Sequence, residues 1–340
     1  MSTVESSAVE SSVEPLCEEA TWDASGTALD PPGRQAERIG ESAASPRTTK
    51  AVPAAKKRWM HGVNWPVFGW IAFLHAGALA APFFFTWKSV LLFVGLAWFS
   101  GGVGITLGYH RLLTHGSFQT YRWVRRFCGV AGTLAGEGPP LMWVATHREH
   151  HALSDQEGDP HSPRDGYLWS HVVWLFPAHE KGHQEQLYQR YAPDLLKDPF
   201  MRFLDRTFLL WHWALGFGLF FAGWIGWDLY TAWSFVFWGI FLRLVVVLHV
   251  TWFVNSATHI WGYRNYETSD NSRNLWWVAL LSFGEGWHNN HHAHQRSARH
   301  GHRWWELDPT FGMIRLMERV GLAWKVADVR EPKSGRSAAV

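Results

Sequence analysis

Cysteine is almost missing from this sequence: its 340 residues include two, Cys17 and Cys128. So few exclude a disulfide framework and a thiolate-held metal cluster. Any metal bound here needs other donors. Charge is missing too, but only in places. No Asp, Glu, Lys or Arg falls within 59–87, 89–110 or 207–227, and 232–259 contains only Arg243. The net charge of +2 points to no class of partner, and no nucleic acid is expected. The first fifteen residues are polar and acidic, so no secretory signal peptide is expected.

Large aromatics are abundant, with 24 Trp and 22 Phe. Membrane proteins use such residues as interfacial belts. The mean hydropathy of −0.15 is low because polar tails and twenty histidines dilute the apolar runs. About 20 apolar residues cross a bilayer, and each of the four runs is long enough. The expected fold is an all-α integral membrane protein with four transmembrane helices. Short turns at Lys88 and Asp228 pair the helices as two hairpins. Gly101, Gly102, Gly104 and Gly108 on the second helix allow close packing or leave room for a ligand.

Residues 1–55, rich in Ser, Ala, Glu and Pro, read as a disordered N-terminal tail. Residues 56–325 form the membrane domain, and 326–340 a C-terminal tail. The apolar piece 127–136 is too short to span and reads as interfacial or re-entrant. Lys56, Lys57 and Arg58 precede the first helix, and Arg111, Arg122, Arg125 and Arg126 follow the second. The positive-inside rule then places both termini, and a helical cap, on the cytoplasmic side. Arg243 lies inside the fourth helix, and the sequence assigns it no role.

Histidine carries the chemistry. His110 and His115 end the second run, His147, His150 and His151 form a second cluster, and His288, His291 and His292 a third. His-x-x-His-His puts three imidazoles on one helical face. The i, i+5 spacing of His110 and His115 works if the helix ends or unwinds between them. Isolated His61, His75 and His212 read as interfacial filler. Neutral imidazole is the commonest transition-metal ligand. Eight ligands are too many for one ion and suit two, and an all-imidazole pair fits iron, zinc or copper.

The three clusters together resemble those of the membrane-bound fatty acyl desaturases, Δ9 branch, which includes stearoyl-CoA and acyl-lipid enzymes. The runs 157–166 (EGDPHSPRDG) and 284–292 (GEGWHNNHH) are the most specific, and the likeness covers roughly 65–325. The resemblance implies a di-iron centre, dioxygen as co-substrate, and a cis Δ9 double bond set into a saturated C16/C18 acyl chain. It adds His259 as a ninth ligand and Asn255 as a ligand through water. Thr251, Asn255 and His259 step by four along one face, which agrees. By the same resemblance Trp143 and Thr251 line the bend of an acyl tunnel, whose closed end lies near Trp98 and Gly102.

The stearoyl-CoA enzymes carry a basic–acidic pair just before the second cluster and a basic pair after the Ser-His-Val-x-Trp run. Here those places read Ala145-Thr146 and Pro177-Ala178. Acyl-CoA and acyl-lipid substrates both stay open, with Arg164 and Lys181 as possible phosphate contacts. No His-Pro-Gly-Gly haem motif follows His292. Electrons are therefore expected from a separate ferredoxin or cytochrome b5-type protein. Two alternatives remain: a related hydroxylase or alkane monooxygenase, and a metal-binding membrane transporter. A transporter would place its ligands within the spans rather than at their ends.

Overall fold

The computed structural model describes residues 58–329. The expected N-terminal tail lies outside these residues, as does the C-terminal tail beyond 329. Four helices are long and apolar enough to cross a membrane: α1 (Trp65–Phe84), α2 (Trp87–Thr114), and, later in the chain, Phe208–Gly226 and Leu229–His259. Between them lie α3 (Arg122–Thr133), α4 (Pro140–Leu153), α5 (His183–Tyr191) and α6 (Pro199–Arg206). The later pair of long helices are α7 (Phe208–Gly226) and α8 (Leu229–His259). Three more helices follow them: α9 (Trp276–Leu281), α10 (His288–Ala293) and α11 (Pro309–Arg319).

Caps start the long helices where the sequence turns. The Thr86 hydroxyl accepts from Ser89 N at 3.0 Å and the Ser89 hydroxyl accepts from Thr86 N at 3.2 Å, a reciprocal pair that opens α2. The Asp228 carboxylate accepts from Thr231 N at 2.7 Å and opens α8. Two glycines set the closest helix approaches. A Cβ on Gly104 would stand 2.5 Å from the Ala131 carbonyl of α3, and one on Gly223 of α7 would stand 2.6 Å from Ala232 of α8. Any side chain at either place forces backbone apart.

The second half of α2, Trp98–Thr114, is wound as a π-helix with i→i+5 bonds. His115 N donates to His110 O at 3.1 Å. The helix ends at Thr114, between the two histidines, and His115 caps it, as the i, i+5 spacing requires. A wider turn brings them together, with ring centroids 4.8 Å apart. Among the described residues the expected all-α fold is interrupted by one short strand pair and by isolated β-bridges. Gln119–Thr120 pairs antiparallel with Ala323–Trp324, because the chain after α11 returns to the loop that leaves α2.

Arg243 has partners despite its place in α8. Its side chain is fully buried, Nε donates to Gly239 O at 2.9 Å, and Nη1 donates to Leu134 O and to Ser100 Oγ at 3.4 Å. An intramembrane charge is costly unless it is paired or hydrogen-bonded. Here it ties α8 to α2 and to the chain beyond α3.

Candidate metal centre

α4 begins at Pro140, where a missing backbone N–H costs nothing, and its C-terminal half carries His147, His150 and His151. α10 carries His288, His291 and His292 and is buried along its length. His110 and His115 come from the π-wound end of α2, and His259 ends α8 in a 3₁₀ turn. These elements sort the nine histidines into two groups. His110, His115, His147, His151 and His291 form the first, and His150, His259, His288 and His292 the second. In each group the nitrogens lie within 4.8 Å of one another. The second and third clusters are therefore divided: each sends residues to both groups, because i+3 and i+4 point to either side of the shared face.

The nitrogen spacing is informative. His110 Nε2 is 3.1 Å from His291 Nε2, which is 2.9 Å from His151 Nε2, which is 3.0 Å from His147 Nε2. His259 and His288 face each other Nε2 to Nε2 at 3.1 Å. A neutral imidazole owns one N–H. Four Nε2 atoms in a row cannot satisfy one another, since each inner atom would have to serve two neighbours. Ligands 2.0–2.1 Å from one ion stand about 2.9–3.3 Å apart at angles between 90° and tetrahedral. The spacing fits a cation set between the rings. The Nε2 atoms of His115 and His292 are buried and have no hydrogen-bond partner among the described residues. Both are free lone pairs for such an ion.

Carboxylates stand behind the rings. Nδ1 of His110 is 2.8 Å from Glu285, that of His150 is 3.0 Å from Asp159, that of His259 is 3.1 Å from Asp155, and that of His292 is 2.5 Å from Asp270. For His150, His259 and His292 the carboxylate takes the Nδ1 hydrogen bond, leaves Nε2 bare, and sets the ring's direction. Burial alone would raise these carboxyls. Facing imidazoles outweigh it for Asp155, Asp159 and Asp270, and the Arg111 charge followed by His110 and His300 outweighs it for Glu285. All four stay ionised, below the usual carboxylate range. Arg111 is itself fully buried and pairs with Glu285 at 3.1 Å and Asp308 at 3.0 Å. Burial, followed by neighbouring imidazoles, holds His147, His151, His288 and His291 well below the ordinary histidine pKa. They are in the neutral form that metals require.

Sequence reasoning found the nine histidines and missed the carboxylates. Asp159 and Glu285 lay inside runs singled out for their specificity, but no role was read for them. Asp155 and Asp270 sit in polar loops with no periodic signal. His300 was missed as well. It shares Glu285 with His110, with Nδ1 2.9 Å from the carboxylate, and its ring lies 4.5 Å from His291.

A cavity runs from the histidines back between α2 and α8. Ala97, Gly101 and Ile105 line one side, Val247, Val250 and Val254 the other, and His110, His147, Asn255 and His288 the inner end. Trp143 and Thr251 both line it. Glu137, absent from the sequence reading, joins them: its carboxylate accepts from Trp143 Nε1 at 2.9 Å and from Thr251 Oγ1 at 2.7 Å. Burial raises the Glu137 carboxyl to about 7. Trp98 and Gly102 stand differently. A Cβ on Gly102 would meet Trp98 at 3.3 Å and Phe283 at 3.5 Å, whereas the neighbouring Gly101 faces the cavity.

Four helices long and apolar enough to cross a membrane are thus combined with nine imidazoles in two groups, each of which could hold a metal ion. Comparison makes this specific. Residues 85–325 match the family described as Fatty acid desaturase. The chain is 45% identical over 279 residues to the sn-2 palmitoyl-lipid 9-desaturase of Nostoc sp. (strain 36), covering 82% of this chain and 92% of that one. It is 48% identical over 273 residues to the sn-1 stearoyl-lipid 9-desaturase of Anabaena variabilis, covering 79% and 96%. It is 40% identical over 307 residues to the Delta-9 acyl-lipid desaturase 2 of Arabidopsis thaliana, covering 87% and 95%. The chain belongs to the fatty acid desaturase family.

Proposed function

We propose that this protein is an acyl-lipid Δ9 desaturase, which sets a cis double bond into a saturated C16/C18 chain using dioxygen and two electrons. The observation that carries the reading is the division of nine imidazoles, six buried and three half-buried, into groups of five and four at the end of an apolar cavity. His110, His115, His147, His151 and His291 would hold one iron. His150, His259, His288 and His292 would hold the other, with Asn255 contributing through a water. The all-nitrogen donor set and the free Nε2 atoms of His115 and His292 fit such a pair. The names of the relatives support the Δ9 position and the lipid carrier.

When bound, the iron pair supplies the oxidising power that activates dioxygen. The residues do the rest. The valines of α8 and Ile105 of α2 hold the acyl chain and exclude water. Glu137 fixes Trp143 and Thr251, so the bend they form selects the methylenes that react. Trp98 and Gly102 belong to the closed end of this tunnel. The balance is one saturated CH₂–CH₂ unit, one dioxygen, two electrons and two protons giving one CH=CH unit and two waters.

In this reading α1 with α2 and α7 with α8 form two hairpins, and both termini and the site lie on the cytoplasmic side. The positive-inside distribution of Arg58, Arg111, Arg122, Arg125 and Arg126 supports it. A separate ferredoxin or cytochrome b5-type carrier delivers the electrons. Residues 56–325 form the catalytic domain. Expression in cells lacking Δ9 activity, followed by double-bond mapping of their fatty acids, tests the whole reading. A new Δ9 alkene is expected. A hydroxylated chain would make the protein a hydroxylase instead, and unchanged fatty acids would remove the reading.

A further inference from the structure

The carrier of the acyl chain depends on where the cavity opens. A thioester of coenzyme A is water-soluble and needs a mouth on an aqueous face. A chain still esterified to a membrane lipid needs a mouth on the bilayer. Leu281 marks the edge, because it lines the cavity and is also 50% exposed. It is the last residue of α9, and the chain then runs on through Ser282 and Phe283 along the cavity wall.

Three contacts tie the surroundings of that edge to the long helices. Trp277 of α9 packs on Phe253 of α8 with ring centroids 5.1 Å apart. The hydroxyls of Thr310, in α11, and Thr106, in α2, are 2.6 Å apart. Thr310 also donates through Oγ1 to Phe283 O at 2.8 Å. Phe253 and Thr106 both lie within apolar spans. α9 and α11 therefore sit beside span residues, and they turn apolar side chains outward: Trp276 is 63% exposed, Leu280 65% and Leu316 60%. Water is a poor neighbour for such a surface, and an interfacial lipid layer is a good one. On α11, Arg319 and Arg315, the latter paired with Glu318, are exposed around Leu316. Cations there suit the phosphates of a headgroup layer.

We propose that the cavity is loaded sideways from the bilayer, past Leu281, by an acyl chain still attached to a glycerolipid. α9 and α11 form the lipid-facing rim of this entrance. The proposal rests on the desaturase reading for what happens to the chain, but the place of the entrance is tested without turnover.

The test uses full-length protein in nanodiscs of phosphatidylcholine and phosphatidylglycerol, in a Cys17→Ser background, with Cys128 buried. Leu281→Cys, Leu316→Cys and, on exposed α5, Gln189→Cys each carry one environment-sensitive fluorophore. Lipids brominated on the acyl chain are expected to quench the labels at 281 and 316 several-fold more than aqueous iodide does, with the reverse at 189. If iodide quenches the label at 281 as strongly as that at 189, the mouth opens to water and the proposal fails, in favour of a soluble thioester. Unlabelled wild-type protein in discs of the same lipids, given reductant and an electron carrier, is then offered stearoyl glycerolipid or stearoyl-CoA. Product from the lipid alone is expected, and product from the thioester alone overturns the proposal. If neither substrate reacts, the desaturase reading fails, and the quenching pattern still decides where the cavity opens.

Discussion

His259 and His288 face each other Nε2 to Nε2 at 3.1 Å, across the junction of α8 and α10. Asp155 stands 3.1 Å from the Nδ1 of His259. The Nε2 lone pair of His259 is thereby turned toward its neighbour, and the pair is ready for an ion. Replacing His288 by Ala removes one of four nitrogens from that group. We expect His288→Ala to abolish desaturation, by at least 100-fold, while the protein still inserts into membranes. Fatty-acid analysis of expressing cells, beside immunodetection in the membrane fraction, checks both halves. Wild-type turnover in this variant would remove the basis of the metal reading.

Asp270 tests the layer behind the ligands. Its carboxylate is 2.5 Å from Nδ1 of His292 and also accepts from Ser272. An amide in its place offers a weaker acceptor and lets the ring turn. Loss of such a partner typically costs roughly 10–100-fold in metal affinity. Asp270→Asn is therefore expected to purify with less metal in the group that holds His292, while His110 and its neighbours keep theirs. Metal content per protein, measured with Asp270→Asn beside wild type, reads this out directly. Equal occupancy in the two proteins would make Asp270 a mere surface neighbour of the site.

Glu137 has a pH signature. Its carboxyl is raised from 4.5 to about 7 by burial, so the folded protein holds this proton where the unfolded chain has released it. Stability from this group is present at low pH and is lost as pH rises from the unfolded value, near 4.5, to the folded value, near 7. Glu137→Gln keeps an acceptor for Trp143 and offers an amide N–H to the Thr251 hydroxyl, reversing that bond, but cannot titrate. We expect it to flatten the thermal-stability profile between these pH values and to leave the double-bond position unchanged. Glu137→Leu loses both contacts and should yield mixed double-bond positions. A profile in Glu137→Gln as steep as wild type would assign the slope to another group.

Gly101 and Gly102 separate two ideas about chain length. Gly101 faces the cavity, whereas a side chain at Gly102 presses on Trp98 and Phe283. Gly101→Leu is expected to lower the C18 to C16 product ratio several-fold. Gly102→Phe should shorten the accepted chain if Trp98 and Gly102 close the tunnel. Gas chromatography of the products from both variants decides between the two glycines. An unchanged ratio in Gly102→Phe moves the closed end to the Gly101 side.

The spans and the histidines were readable early for a physical reason. A bilayer demands an uncharged run of fixed length, and a helix repeats ligands at fixed steps, so both leave marks within short windows. Arg243 broke its run without explanation, because its partners Leu134 and Ser100 lie more than a hundred residues away in the chain. Distance also hid Asp155, which meets His259 across 104 residues, and Glu285, which meets Arg111 across 174. Asp159 and Asp270 lie only 9 and 22 residues from His150 and His292, in loops where no periodic pattern marks a carboxylate.

By itself, the sequence determined that four apolar helices and three histidine clusters exist, since both follow from local spacing. Which histidine joins which group was decided by the tertiary structure. The π-wound end of α2 lets His110 and His115 share one group, and the i+3 and i+4 positions of α4 and α10 diverge toward two. Setting Asp155 behind His259 and Glu285 behind His110, joining Trp143 to Thr251 through Glu137, and leaving Leu281 at the cavity's edge are also tertiary decisions. Each depends on contacts between segments far apart in the chain, and no local pattern encodes them.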